Sequence, residues 1–399
     1  MQLSKLLYKN IFWRGLNMAS VFVLNVLIAQ VFGAANYGSL FYYINTLAFI
    51  VLLVGFSLDS SFTFYNAKPA TNTTQFIKIA IMWSLCGALL ATFFVFFYNK
   101  ILNDSFSTTN CFMYVGGMLL LTFFTALFNA KHHYFTQNLT IAIVNTILAI
   151  SLLFLKNDFN AFTQLFFLSV LAQGVAIAFS YILKYRQKMP LQNIDKIALK
   201  PLLKYASIAF IGNVLFFLTY RVDYWFIDYF VKDKILLGNY IQVSKIGQLF
   251  IVIPSIVAST IFAVTAEGKK ENMGQKTIKL SKILFVSTFI LCLPLLIWGK
   301  WIFPFLFGKT FTLMYQPFLL LFPGILALTI LLPYAALYSG KNKINQKVIG
   351  ASLSLFILIV FDIFLIPTYN INGAALASSI GYFIYSMYLI YHSKTLNQD

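Results

Sequence analysis

Apolar stretches of about twenty residues recur along nearly the whole chain, and this recurrence leaves few folds open. Lipid offers backbone N–H and C=O groups no partner, so such a stretch crosses as a helix or within a closed barrel. These runs are continuous rather than alternating, which selects helices. They predict spans near 11–32, 38–62, 76–98, 110–130, 138–155, 162–183, 205–228, 238–265, 280–303, 316–338, 346–366 and 371–391. The expected fold is an all-α polytopic membrane protein with twelve transmembrane helices. Charged residues make up only 10% of the chain, against about 25% in soluble domains. The first run leads straight into the second and lacks a small-residue cleavage site, so it is expected to stay as a span.

The formal charge of +18 invites a nucleic-acid reading, but its distribution points elsewhere. With the N-terminus placed inside, most of the 29 Lys and Arg residues fall on inner loops, as cytoplasmic loops require. Both termini are then cytoplasmic, the membrane is the cytoplasmic one, and the basic excess meets lipid headgroups rather than nucleic acid. Only Arg221 and Lys245 remain within spans.

Those two residues single out the stretch from Leu202 to Ala266. A charge inside an apolar helix is costly unless it faces protein or water. Two cations on adjacent helices suggest a cavity that holds an anion, with Arg suited to forked phosphate contacts and Lys acting as a point charge. The competing structural reading pairs Arg221 with Asp223 or Asp362 and lets Lys245 reach outward to the headgroups. Arg14 either lines the inner mouth of the cavity or anchors the first span. Tyr220 is a candidate to stack on substrate. Asp59, Asp223 and Asp362 are candidates for proton or sodium coupling, with structural ion pairing as the alternative.

Other chemistry finds little support. Cys86, Cys111 and Cys292 are scattered, and His132 and His133 stand without further ligands, so no metal site is expected. Gly308-Lys309-Thr310 ends like a phosphate-binding loop, but Phe303 stands where that loop needs its first glycine. No catalytic constellation is apparent, and neither an enzyme nor a bound cofactor is expected.

The chain also repeats itself. Gly38-Ser39-Leu40-Phe41 aligns with Gly238-Asn239-Tyr240-Ile241 at an offset of 200. Ala126 to Lys131 aligns with Ala336 to Lys341 at an offset of 210. Both matches fall at equivalent places in two sets of six spans. They predict two pseudo-symmetric six-helix lobes, 1–190 and 191–399, joined by the Lys184–Lys204 loop.

A family resemblance completes the reading. It rests on an inner Gly340-x-Asn342 turn and on Pro367-x-x-Asn370-Ile371-x-Gly373-Ala374-Ala375-Leu376-Ala377 opening the last span. Tyr37-Gly38 and the Arg221-x-Asp223…Gly238-x-Tyr240 stretch add to it. Together these resemble the polysaccharide transporter branch of the multidrug/oligosaccharidyl-lipid/polysaccharide (MOP) exporter superfamily, and within it Wzx-type O-antigen flippases. The resemblance implies two lobes around a central cavity and movement of undecaprenyl-pyrophosphate-linked oligosaccharide to the outer leaflet by alternating access. It implies a polysaccharide polymerase and a chain-length regulator as partners. The alternatives are a multidrug/cation antiporter of the same superfamily, which wants acidic cavity residues, and a polytopic membrane glycosyltransferase or polymerase, which wants a long outer loop.

Overall fold

The computed structural model describes residues 3–66, 73–102, 107–131, 133–185, 196–266, 273–341 and 343–393. The described chain is almost wholly helical: α1 Leu3–Gly55, α2 Leu58–Asn66, α3 Thr73–Leu102, α4 Thr108–Ala130, α5 Phe135–Leu155, α6 Phe159–Tyr185, α7 Lys196–Phe230, α8 Lys234–Phe250, α9 Val252–Ala266, α10 Met273–Phe307, a 3-10 segment Lys309–Met314, α11 Tyr315–Gly340 and α12 Ile344–Ser393. Among the described residues nine helices are long and apolar enough to cross a membrane, or ten if α8 and α9 count as one bent span. Large apolar side chains such as Phe93, Phe154 and Phe305 stand exposed, as a lipid-facing surface requires. The chain is a multi-pass membrane protein.

Two helices are too long to be single crossings. A straight helix of the 53 residues in α1 would reach ~80 Å, more than twice a ~30 Å hydrocarbon core. Its helical path breaks at Gly33 (φ 71, ψ 175), a backbone shape that glycine alone adopts readily. The gap between the expected spans 11–32 and 38–62 thus shrinks to a break at one residue. α12, with 50 residues, breaks in the same way at Asn370 (φ 52, ψ −133). Both breaks fall between spans that the hydropathy separates.

Two expected spans prove discontinuous. The 38–62 span is cut at Phe56 and Ser57, both at positive φ. The 238–265 span bends by 45° between α8 and α9. Pro254 explains the second break, because it has no N–H for the Phe250 carbonyl and its ring crowds that oxygen. The connection expected over Lys184–Lys204 also changes. Residues 186–195 lie outside the described set, as do His132, Asn342 and Glu267, while α7 already begins at Lys196. A run that reads as charged loop thus folds as the start of a helix.

Two compact units emerge. The first contains residues 1–31 and 43–214, and the second contains 32–42 and 215–399. This division departs from the expected 190/191 boundary: part of α1 groups with the second unit and the start of α7 with the first.

In the first unit α4 packs against α2, α3 and α6. Gly117 and Gly174 let α4 and α6 touch backbone to backbone, the small-residue packing that membrane helices favour. The break at Phe56-Ser57 leaves carbonyls without helical partners. The Trp83 indole donates to the Val54 carbonyl at 2.7 Å, and the Asn213 amide donates to Ser57 Oγ at 2.9 Å. Asn17 donates to Asn138 at 3.0 Å and Asn145 to Ser20 at 3.1 Å, tying α1 to α5.

In the second unit α11 packs against α8, α9, α10 and α12. Here the repeat becomes physical. Gly38 and Gly238, equated by the offset of 200, face each other. A Cβ on Gly38 would strike the Lys234 carbonyl and the Gly238 backbone, and a Cβ on Gly238 would strike the Ala34 carbonyl. Ala34 and Lys234 are themselves related by that offset, so the contact is reciprocal. Both obstacles are backbone and cannot rotate aside. Gly238→Val is therefore expected to destabilise the protein by ~2–3 kcal/mol, read as a lowered Tm in detergent. An unchanged Tm would show that the two helices separate at no cost.

Candidate functional site

The second unit brings together most of the predicted site residues, and the α7–α8 turn positions them. Asp233 caps α8, its carboxylate accepting the Ile235 N–H at 2.7 Å and the Leu236 N–H at 3.3 Å. Lys234 pairs with Asp228 across the turn. An N-cap of this kind satisfies N–H groups that the first helical turn leaves without partners. The 3-10 segment does the same for the helix restarting after Gly33: Thr310 Oγ1 accepts the Ala34 N–H at 2.9 Å, and the Thr310 carbonyl accepts the Asn239 amide at 3.1 Å. The residues that imitate a phosphate loop therefore serve as a clasp.

Two charged layers follow from helical spacing. Arg221 and Asp223 are two residues apart on α7, about 200° around the helix, and so face opposite ways. On one side stand the cations. Lys245 is half-buried on α8 and donates to Tyr37 Oη at 2.8 Å. Its Nζ also lies 2.8 Å from the centre of the Phe41 ring and 4.8 Å from that of Tyr37, a cation–π arrangement. Tyr37 is fully buried and passes its own hydroxyl to Gln242 Oε1. Arg221 reaches the Gln248 side chain at 3.5 Å and lies 5.7 Å from the Phe217 ring centre. The two cations lie within electrostatic reach of one another. Like charges held together in a low-dielectric span repel, and a visiting anion would relieve that cost.

On the other side stand the acids. Asp223 accepts hydrogen bonds on Oδ2 from the Tyr240 hydroxyl and from Ser378 Oγ at 3.1 Å, while its Oδ1 is buried without a hydrogen bond. Asp362 is completely buried, and neither of its oxygens has a hydrogen-bond partner. It lies within electrostatic reach of Asp223. Asp223 gives its accepting oxygen to hydroxyls while Arg221 lies within electrostatic reach of it, and Asp362 makes no hydrogen bond. Lys245 does not reach outward either, because Tyr37 and Phe41 hold it. α7 continues to Phe230 and α8 begins at Lys234, so both cations lie further from their helix ends than the hydropathy placed them.

The remaining candidates stand apart. Tyr220 is buried with its ring against Phe216 and Tyr382, and its hydroxyl has no hydrogen bond. It borders a groove of about 350 Å³ that also includes Lys347. Asp59 opens α2, where a carboxylate complements the helix dipole. Arg14 is exposed on α1 in the first unit. No group of three or more metal-ligating side chains occurs among the described residues.

The computed structure is similar over nearly its whole length to solved transport proteins. The lipid II flippase MurJ in an inward closed conformation matches with a TM-score of 0.74 at 17% identity, covering 96% of this chain and 87% of that one. The fold is the one these transport proteins share. A mutant of the Vibrio cholerae MATE transporter VcmN matches with a TM-score of 0.70 at 12% identity, covering 99% and 97%. A MOP superfamily transporter from Pyrococcus furiosus, described by the reversed polarity of its binding pocket, matches at 0.65 and 11% identity, covering 98% and 94%. No protein-family model matches the sequence, and no curated protein sequence does. In this fold the sequence marks Arg221, Lys245, Asp223 and Asp362. It does not mark Tyr37, Phe41, Gln242 or Ser378 as their partners. Only the spacing of Gly238, Gln242 and Lys245 along one face of α8 hints at them.

Proposed function

We propose that this protein is a flippase that moves an undecaprenyl-pyrophosphate-linked oligosaccharide from the inner to the outer leaflet of the bacterial cytoplasmic membrane, for O-antigen, capsule or exopolysaccharide synthesis. The observation that carries this reading is the like-charge pair Arg221 and Lys245, held within electrostatic reach inside apolar helices. A diphosphate is a dianion or more, and it would bind such a pair through charge-assisted hydrogen bonds. The MOP fold shared with a lipid II flippase supports a lipid-linked substrate. Twelve crossings in two six-helix lobes follow if the breaks at Gly33 and Asn370 are turns at the membrane surface. The chain then works by alternating access without ATP, with both termini inside, and hands its product to a polymerase and its chain-length regulator.

A second reading, export of an organic cation, is favoured by the acidic pair Asp223 and Asp362 and by the likeness to MATE transporters. In the flippase reading the same pair carries the coupling ion, since a buried carboxylate without a hydrogen bond takes up a proton or a metal cation. The two readings separate in vesicles holding the purified protein and a fluorescent undecaprenyl-diphosphate disaccharide. The flippase reading expects an impermeant quencher to reach well beyond the fraction of label quenched in protein-free vesicles. Quenching equal to that of empty vesicles, together with ion-driven efflux of a cationic dye, would assign the protein to cation export.

A further inference from the structure

A pocket of about 490 Å³ opens at the end of the second unit where the 3-10 segment, the start of α11 and the break in α12 meet. Six of its lining residues carry the chemistry: Lys300 from α10, Tyr315 and Gln316 from α11, and Tyr369, Asn370 and Asn372 around the α12 break. The break matters because Asn370 leaves the helical path there. Its neighbour Tyr369 stands 58% exposed, although the sequence around it is apolar enough to cross a membrane. Asn372 Oδ1 is buried with no hydrogen-bond partner. The Tyr315 hydroxyl is already given to the Leu296 carbonyl at 2.7 Å, so its ring serves as wall. Lys300, Gln316 and Asn370 are exposed.

This set differs in kind from both charged layers. It contains no carboxylate, which argues against a cation, and its three amides and one ammonium are too polar for a lipid tail. A planar amide offers a donor and an acceptor side by side, which matches two neighbouring sugar hydroxyls. An exposed tyrosine face suits the apolar face of a pyranose ring, and an ammonium suits a sugar carboxylate. We propose that this pocket is a saccharide-binding subsite that prefers an acidic sugar. It deepens the flippase reading and rests on it for its role: with the termini inside, the pocket lies at the outer surface, where it would hold the sugar head after crossing.

The test needs no transport and so stands apart from the flippase assay. Saturation-transfer NMR on the full chain in nanodiscs would use tri-galacturonate and galactotriose as probes. Transfer to both is expected, with tri-galacturonate bound more tightly. Tyr369→Ala should weaken binding roughly tenfold, Asn372→Ala should weaken it as well, and Lys300→Gln should erase the preference for the acidic probe. Tyr369 and Lys300 are exposed, so these variants should keep the wild-type Tm. Transfer to neither probe, or affinities unchanged in both Tyr369→Ala and Asn372→Ala, would overturn the subsite. So would loss of binding in Arg221→Ala with retention in Tyr369→Ala, which would assign the sugar to the cation pair. Tyr369-dependent binding by a protein that moves no lipid would support the subsite while the flippase reading fails.

Discussion

Arg221→Ala abolishes lipid-linked sugar export while the protein still folds and inserts: this is the expected outcome, and it follows from where the acids point. Were Arg221 half of a buried ion pair, its removal would strand a carboxylate and cost ~3–5 kcal/mol of stability. Asp223 instead gives its accepting oxygen to Tyr240 and Ser378, and Asp362 makes no hydrogen bond. Arg221 also bonds to the neutral Gln248, a contact whose loss costs ~1 kcal/mol. A hydrogen-bonded phosphate contact is worth ~1.5–3 kcal/mol per bond, so losing a forked pair should slow export by ~100-fold or more. Arg221→Lys should retain part of the rate, because the charge survives and the planar fork does not. The measurement is membrane level beside export for Arg221→Ala, Asp362→Ala and the double mutant. Normal export by well-expressed Arg221→Ala protein would remove the phosphate role. A double mutant that rescues an unstable Arg221→Ala protein would restore the ion-pair account.

Asp362→Asn should have the opposite signature, a gain in stability with a loss of coupling. The native carboxylate is fully buried and unsatisfied, near a second acid. Burying a charge without compensation costs several kcal/mol, and the isosteric amide carries no charge. The Tm of Asp362→Asn should therefore rise or hold. Transport driven by an imposed proton or sodium gradient should fall by at least ~10-fold, about the effect of losing one charge-dependent contact. Asp223→Asn should be the less stable of the two, since it weakens the acceptor shared by Tyr240 and Ser378. Gradient-driven transport at the native rate in Asp362→Asn would rule this aspartate out as the coupling site.

The contrast between these variants shows how much of the site was legible beforehand. The expense of Arg221 and Lys245 within apolar runs marked them as a site, because lipid makes every buried charge conspicuous in a sequence. Asp362 was visible for the same reason. Their surroundings were not. Lys245 bonds to Tyr37, which is 208 positions away, and Asp223 bonds to Ser378 at a separation of 155. Tyrosine and serine are ordinary in spans, so neither carries a mark of its own. Tyr220 was marked only as an aromatic that could stack on substrate, and its packing against Phe216 and Tyr382 was not visible.

The sequence by itself determined the helices, because in lipid a long apolar run has no other way to satisfy its backbone. It also determined the basic imbalance and the break at Gly33 that local backbone chemistry imposes. Only the tertiary structure decided that part of α1 groups with the second unit and that Lys245 meets Tyr37 while Asp223 meets Tyr240 and Ser378. It alone turned the would-be phosphate loop into a clasp for the helix after Gly33. The reason is physical: lipid solvation acts on each helix separately and is written in local composition. The choice of facing helices rests on packing and hydrogen bonds between residues that no local pattern connects.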